Sequence, residues 1–219
     1  MTNSSITKRH CIRAFTNQTV EQSVLKSIIE DAAQAPSSKN TQPWQVAVLT
    51  GKAKQDLVEQ MLTKFDRNEF DGEDYEYMAL PMRDDFKARA RECGYGLYEL
   101  KGIARDDKVA RTQHFRENYT FFNAPVAMIF HLPKDAQKGT FLDMGFFMQN
   151  IMLGLVNHGL GSCPQFSISA YSDTIRQQLG LHDRLIVCGM AVGYPDESAI
   201  VNTFIPNRLP ITEFTQWFN

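Results

Sequence analysis

The sequence predicts an α+β fold, and three observations carry that expectation. Several stretches repeat apolar residues at helical spacing, and apolar runs of strand length stand between them. The two kinds of segment do not alternate in the regular β-α-β manner of a doubly wound sheet. With 219 residues the chain can enclose one full-sized core, and it has no repeat, low-complexity tract or linker, so residues 1–219 read as one domain. Hydrophobic residues make up 43% and charged residues 22%, which is globular rather than disordered composition. A net charge of -2 provides no broad basic field for nucleic acid or acidic lipid.

Thr19 and Gln22 have capping-box spacing, and Val24, Leu25, Ile28, Ile29, Ala32 and Ala33 then follow one helical face until Pro36 stops it. The connector "APSSKNTQPW" places Ser37, Ser38, Lys39, Asn40, Thr41 and Gln42 consecutively between two prolines. On composition alone it is a solvated loop. "WQVAVLT" reads as a buried strand with Gly51 as its turn, and Leu57, Val58, Met61, Leu62 and Phe65 mark the next helix. Residues 66–76 contain six acidic side chains against Arg67, the pattern of a solvated loop rather than a substrate lid. Residues 82–120 are helix-like and charged on one side, with "CGYG" as a break, and residues 66–120 together form a helical excursion from the main body.

"APVAMIFHL" is a strand opening after Pro125. Residues 141–161 are the most apolar stretch, but Asp143, Gln149, Asn150, Asn157 and His158 interrupt it. A membrane span tolerates few such groups, so a core helix buried nearly all round is expected. "LGSCPQFSIS" reads as a loop, Ser172 as the cap of a helix ending at Gly180, and "RLIVCGMAVGY" as the last strand. The tail from Pro195 has Val201, Phe204, Ile205, Trp217 and Phe218 with little periodicity, so it needs a surface to lie on.

The N-terminus has no apolar segment of the secretory type. Cys11, Cys93, Cys163 and Cys188 are scattered, with neither C-x-x-C nor zinc-finger spacing, which favours free thiols in a reducing cytoplasm and no metal site. "GYGLYE" and "GLGSCP" both lack the third glycine of a dinucleotide fingerprint. Any nucleotide phosphate must therefore be held by side chains. Arg9, His10 and Arg13 suit that role, because on a helix the two arginines share a face and repel unless an anion lies between them. Arg208 is a candidate third cation. No hydrolytic motif is present, and Cys163 has no evident base. The residues alone leave two classes open: a small-ligand binding module, or an enzyme whose chemistry resides in a bound cofactor.

Five blocks in order, "RHCIRAF", "AAQAPSSKNTQPWQVAVLTG", "FFNAPVAMIF", "GLGSCPQ" and "NRLP", resemble the nitroreductase family of flavin-dependent oxidoreductases, and most closely its nitrobenzoate reductase branch. The resemblance implies an α+β fold with a central, mostly antiparallel sheet flanked by helices. It also implies an intertwined homodimer with an extended C-terminal tail and FMN at the subunit interface. Arg9, His10, Cys11 and Arg13 would grip the phosphate and ribityl chain, with Arg208 as the C-terminal phosphate arginine. Cys11 stands where many members have serine, and Pro206 where many have lysine. Pro36, Ser37, Ser38, Asn40 and Gln42 would reach the flavin ring from the other subunit. Pro164, Gln165 and Phe166 would face its reactive nitrogen, and Asn118 would be a further contact. The implied activity is NAD(P)H-dependent reduction of nitroaromatics or quinones by alternate reduction and reoxidation of FMN, with no catalytic residue from the protein. The alternatives are a dehalogenating or flavin-fragmenting relative and a flavin-binding redox sensor without turnover.

Overall fold

The computed structural model describes residues 4–218. Its centre is a four-stranded antiparallel sheet in the order β1-β2-β4-β3, built from β1 (Gln45–Thr50), β2 (Val126–Pro133), β3 (Gly161–Gln165) and β4 (Arg184–Gly193). The helices are α1 (Ser5–Lys8), α2 (Gln22–Ala32), α3 (Gly51–Asp66), α4 (Asp84–Leu100), α5 (Lys108–Arg116), α6 (Lys138–Asn157) and α7 (Ser172–Leu179). The α+β expectation therefore holds.

Both central strands are buried along almost their whole length, as a sheet covered on both faces requires. Val126, Met128, Phe130 and Leu132 point toward α2 and α6, where they meet Leu25, Ile28, Phe147 and Ile151. Ala127 and Ile129 point the other way and join Leu57, Met61, Tyr119, Phe121 and Ile175. The period-2 alternation of β2 thus serves two cores. One slip interrupts it. Phe130 opposes Cys188 and His131 opposes Ile186, so Val187 is an extra, bulged residue. The bulge turns Val187 and Cys188 toward the same face of the sheet.

Several sequence expectations change. The α2 N-terminus begins at Gln22 after Glu21 and has no side-chain cap, so the Thr19–Gln22 box does not form. β1 is an edge strand with only Leu49 buried, because one of its sides has no strand beside it. α4 runs unbroken through Gly94 and Gly96. Gly96 admits the tail instead: a Cβ there would lie 2.6 Å from the Phe204 ring. "LGSCPQFSIS" is strand β3 followed by a 3-10 turn over Phe166–Ala170, not a loop. Helix α6 is the described helix whose length and composition would suit a membrane. Its Met144, Phe147, Ile151 and Leu155 side is buried in the core, while Leu142 and Phe146 are exposed. It is therefore one-sided, not buried all round. Gly180 ends α7 in the left-handed conformation as expected, although the Ser172 hydroxyl donates to Gly72 O rather than capping.

The acidic segment is tied down. Asp66 pairs with Arg116, Asp71 with Lys64 and the Thr174 N–H, and Asp74 with Arg176 and the Ile186 N–H. Tyr75 then donates its hydroxyl to the Val187 carbonyl that the bulge leaves free, at 2.9 Å. Half of the acidic side chains that suggested a solvated loop are thus the segment's fasteners.

Candidate functional site

The N-terminal segment enters the site as an extended chain. Arg9 ends α1 in β geometry, and Cys11 makes a parallel bridge to Ser162 of β3, with the Ile12 N–H donating to Ser162 O at 3.0 Å. The helical spacing expected for Arg9 and Arg13 is therefore wrong. In an extended segment side chains alternate, so Arg9, Cys11 and Arg13 share one side while His10 and Ile12 face the other. Both arginines still act on Cys11, which lies between them in sequence.

Gly161 makes this approach possible, since a Cβ there would lie 2.5 Å from Ile12 Cγ1. Asn202 holds the segment from the far side. Its Oδ1 accepts from the N–H groups of Arg13 and Ala14, at 2.8 and 3.1 Å, and its Nδ2 donates to Ala14 O and Asp196 O. His10 links Lys8 O and Asn202 O through its two ring nitrogens. Its imidazole thus secures the backbone rather than presenting a nitrogen outward.

Among the described residues Arg9, Arg13 and Arg208 form no ion pair with a carboxylate. Their field is visible in Cys11. The neighbouring Cys163 thiol, then the charges of Arg13 and Arg9, outweigh burial and hold the Cys11 thiol below its ordinary value. Nearby, burial and the charge of Lys101 hold His114 below its ordinary value, and Arg13 contributes in the same direction. Lys101 is paired with Glu117, which also lies against His114, so the cations left for an anion here are Arg9 and Arg13. Lys101 and His114 were not singled out in the sequence, because nothing local in α4 or α5 links them to Arg13.

Gln165, at the end of β3, donates through Nε2 to Asn118 O at 2.7 Å. Its Oε1 is buried without a partner. Pro164, Gln165 and Phe166 line a cleft of about 910 Å³ whose other walls include Tyr75, Tyr77, Phe141, Met148 and the bulged Val187 and Cys188. Tyr77 stacks on Phe166 with ring centroids 4.2 Å apart. A flat apolar ligand suits such walls. Another cavity, about 750 Å³ between α2, β1 and α3, shares none of these residues.

The predicted site residues therefore fall into groups. Arg9, Cys11 and Arg13 lie on the segment that bridges to β3, while Pro164, Gln165 and Phe166 line the cleft at the end of β3, with Asn118 bonded to Gln165. Pro36, Ser37, Ser38, Asn40 and Gln42 lie on a separate turn that Trp44 anchors by stacking on Phe147, 5.2 Å away. No hydrogen bond or ion pair joins that turn to the arginines among the described residues. Lys39, Asn40 and Gln42 all have positive φ, at 51°, 58° and 46°. Such conformations are uncommon for lysine and glutamine and concentrate at functional sites. Ser37 Oγ accepts the Gln42 N–H, and Gln42 Nε2 donates to Asn40 O, which holds the turn. Arg208 is exposed and donates to Pro206 O and Asn207 O of its own loop.

The family model described as the nitroreductase family matches residues 6–194. The chain belongs to the nitroreductase family. Among curated nitroreductases it is 35% identical to nitroreductase NfnB of Mycolicibacterium smegmatis, over 95% of this chain and 89% of that one. It is also 35% identical to the 4-nitrobenzoate reductase of Pseudomonas putida, over 97% and 92%. The nitroreductase fold itself is matched by the crystal structure of the FMN and NADPH-dependent nitroreductase NfnB from Sphigopyxis sp. strain HMH. That match has a TM-score of 0.95 and 36% identity, covering 98% of this chain and 97% of that one.

Proposed function

We propose that this protein is an FMN-dependent NAD(P)H oxidoreductase that reduces nitroaromatic or quinone-type compounds, acting as a homodimer in the cytoplasm. The observation that carries this reading is that Arg9 and Arg13, which have no carboxylate partner among the described residues, flank the bridge of Cys11 to Ser162 of β3, the strand whose end at Pro164 and Gln165 lines the aromatic cleft. FMN combines a dianionic phosphate with a flat ring, and these residues offer cations at one end and apolar walls at the other.

Arg9, Arg13 and Arg208 would hold the phosphate. The backbone around Pro164, Gln165 and Phe166, with Asn118, would border the ring. The turn carrying Pro36, Ser37, Ser38, Asn40 and Gln42 would complete the same site from a second copy, which accounts for its separation from the arginines within one chain. Bound FMN supplies two-electron transfer between NAD(P)H and an electron-poor aromatic. The chain's part is to bind, to orient two successive ligands in one apolar cleft and to exclude water, and no acid or base is required of it.

The test is the visible spectrum of the purified protein, followed by anaerobic addition of NADPH. Oxidised flavin absorbance that bleaches, and returns when 4-nitrobenzoate or a quinone is added, is the expected result. Flavin that stays oxidised under NADPH would favour a binding or sensing role, and absence of flavin would overturn the proposal.

A further inference from the structure

Among the described residues that line the aromatic cleft, Lys138 and Glu76 alone carry a charge. Lys138 is the first residue of α6, a helix of 20 residues with no acidic side chain in its first turn. The N-terminal end of a helix carries partial positive charge, which disfavours a cation placed there. Lys138 forms an ion pair with neither Asp135 nor Glu76, nor with any other carboxylate among the described residues. Its ammonium and the helix end behind it therefore have the same sign, and the chain itself does not offset them. The same face of α6 then descends into the cleft. Phe141, Gly145 and Met148 follow Lys138 at spacings of three, four and three residues, which keeps them on one side of the helix. Lys138 is exposed, whereas Phe141 and Met148 are half-buried. At Gly145 a Cβ would meet nothing within 4 Å, so the helix leaves room there for a flat ring. Tyr75 packs against Phe141 with ring centroids 4.6 Å apart and closes the slot from the other side. The result is an aromatic slot with one cation at its rim.

We propose that Lys138 is a specificity-determining residue that selects aromatic oxidants bearing a carboxylate, holding that group at the rim while the ring enters the slot. The inference rests on the flavin-reductase reading for the ring's place in the cleft. A single ammonium backed by the positive end of a helix suits a singly charged group, whereas a phosphate is ordinarily gripped by several donors. Glu76 repels the same carboxylate and so directs it to the α6 side of the cleft. An exposed ammonium adds little to binding as a whole, so Lys138 discriminates between aromatics rather than conferring affinity for all of them.

The experiment compares 4-nitrobenzoate with nitrobenzene, which differ by the carboxylate, in the flavin-loaded wild-type protein and in Lys138→Met. The ratio of kcat/KM for 4-nitrobenzoate to that for nitrobenzene should fall about fivefold in the variant, the upper end for an ion pair at an exposed position. Lys138→Arg should restore the ratio, and raised salt should erode it in the wild type. Lys134→Met makes the same charge change on the exposed turn after β2, outside the cleft lining, and should not move it. A second readout needs no turnover. Ligand-observed NMR should show the wild type binding benzoate in preference to its neutral counterpart benzamide, and Lys138→Met losing that preference. Should the protein lack flavin or fail to bleach with NADPH, the reductase reading falls, and the benzoate comparison still decides the role of Lys138. The proposal is overturned if the wild type shows no benzoate preference, or if the preference and the kinetic ratio both survive in Lys138→Met. It is equally overturned if both oxidants lose rate alike, or if the loss lies in reduction by NADPH, which would make Lys138 a contact for the nucleotide's phosphates.

Discussion

Arginine side chains usually end beside a carboxylate, water or an anion, and Arg9 and Arg13 have no carboxylate. Their segment is held extended by three hydrogen bonds of Asn202, and their charges stay unpaired when no anion is present. Phosphate suits such cations, because paired charge-assisted hydrogen bonds are strong. Arg13→Ala or Arg208→Ala should each weaken FMN retention by about 1.5–3 kcal/mol, read as flavin content after extensive dialysis. Full flavin in both variants would place the phosphate elsewhere. Sequence alone paired these arginines for a reason that does not apply, a shared helical face. That they share a side was legible because an even spacing on a strand and i,i+4 spacing on a helix both put two side chains on one side, and residues 9 and 13 satisfy both.

At the scale of elements, β3 and the N-terminal segment meet only because Gly161 has no side chain. Gly161→Ala would force Ile12 Cγ1 and Pro195 Cγ, now 2.5 and 3.0 Å from the added carbon, to move. Overpacking of this kind costs about 1–3 kcal/mol. The expected outcome is a lower urea midpoint together with looser flavin retention. Unchanged flavin content in a destabilised variant would separate the packing from the site. In β2, His131 is buried, its Nδ1 has no partner, and burial, then Arg184, lower its pKa to about 4. The unfolded chain binds this proton near pH 6.5 and the folded chain does not. His131 therefore penalises the fold increasingly as pH falls below 6.5, and the loss levels off near pH 4. About 2 kcal/mol should be lost between pH 7.5 and pH 5. His131→Gln should remove that part of the pH dependence of urea unfolding. An unaltered slope would mean the imidazole protonates within the fold.

For the whole molecule, three exposed apolar features need covering. The tail from Ile205 to Phe218 leaves Ile205, Ile211, Phe214, Trp217 and Phe218 exposed, Trp217 and Phe218 at 80% and 89%. Helix α6 shows Leu142 and Phe146, and β1 is an open edge. Apolar exposure on this scale marks an interface, and the proposed homodimer would cover it. Light scattering at micromolar concentration should give twice the chain mass of 25.0 kDa. A flavin-retaining monomer would rule out a site completed by a second copy.

What the sequence determined by itself was local or compositional: the helical faces of α2 and α3, the apolar strands β2 and β4, the left-handed end of α7, and the cluster of site blocks that marks the family. Each depends on residues within a few positions of one another. Tertiary structure alone decided that β1 is an edge, that "GLGSCPQ" opens a strand, and that Asp66, Asp71 and Asp74 fasten a segment their composition made look solvated. It also decided that Val187 bulges toward the cleft and that Cys11 bridges to Ser162. The physical reason is common to all of these. Strand order, bulges, ion pairs and backbone bridges join residues up to well over a hundred positions apart, so no short window of sequence contains both partners.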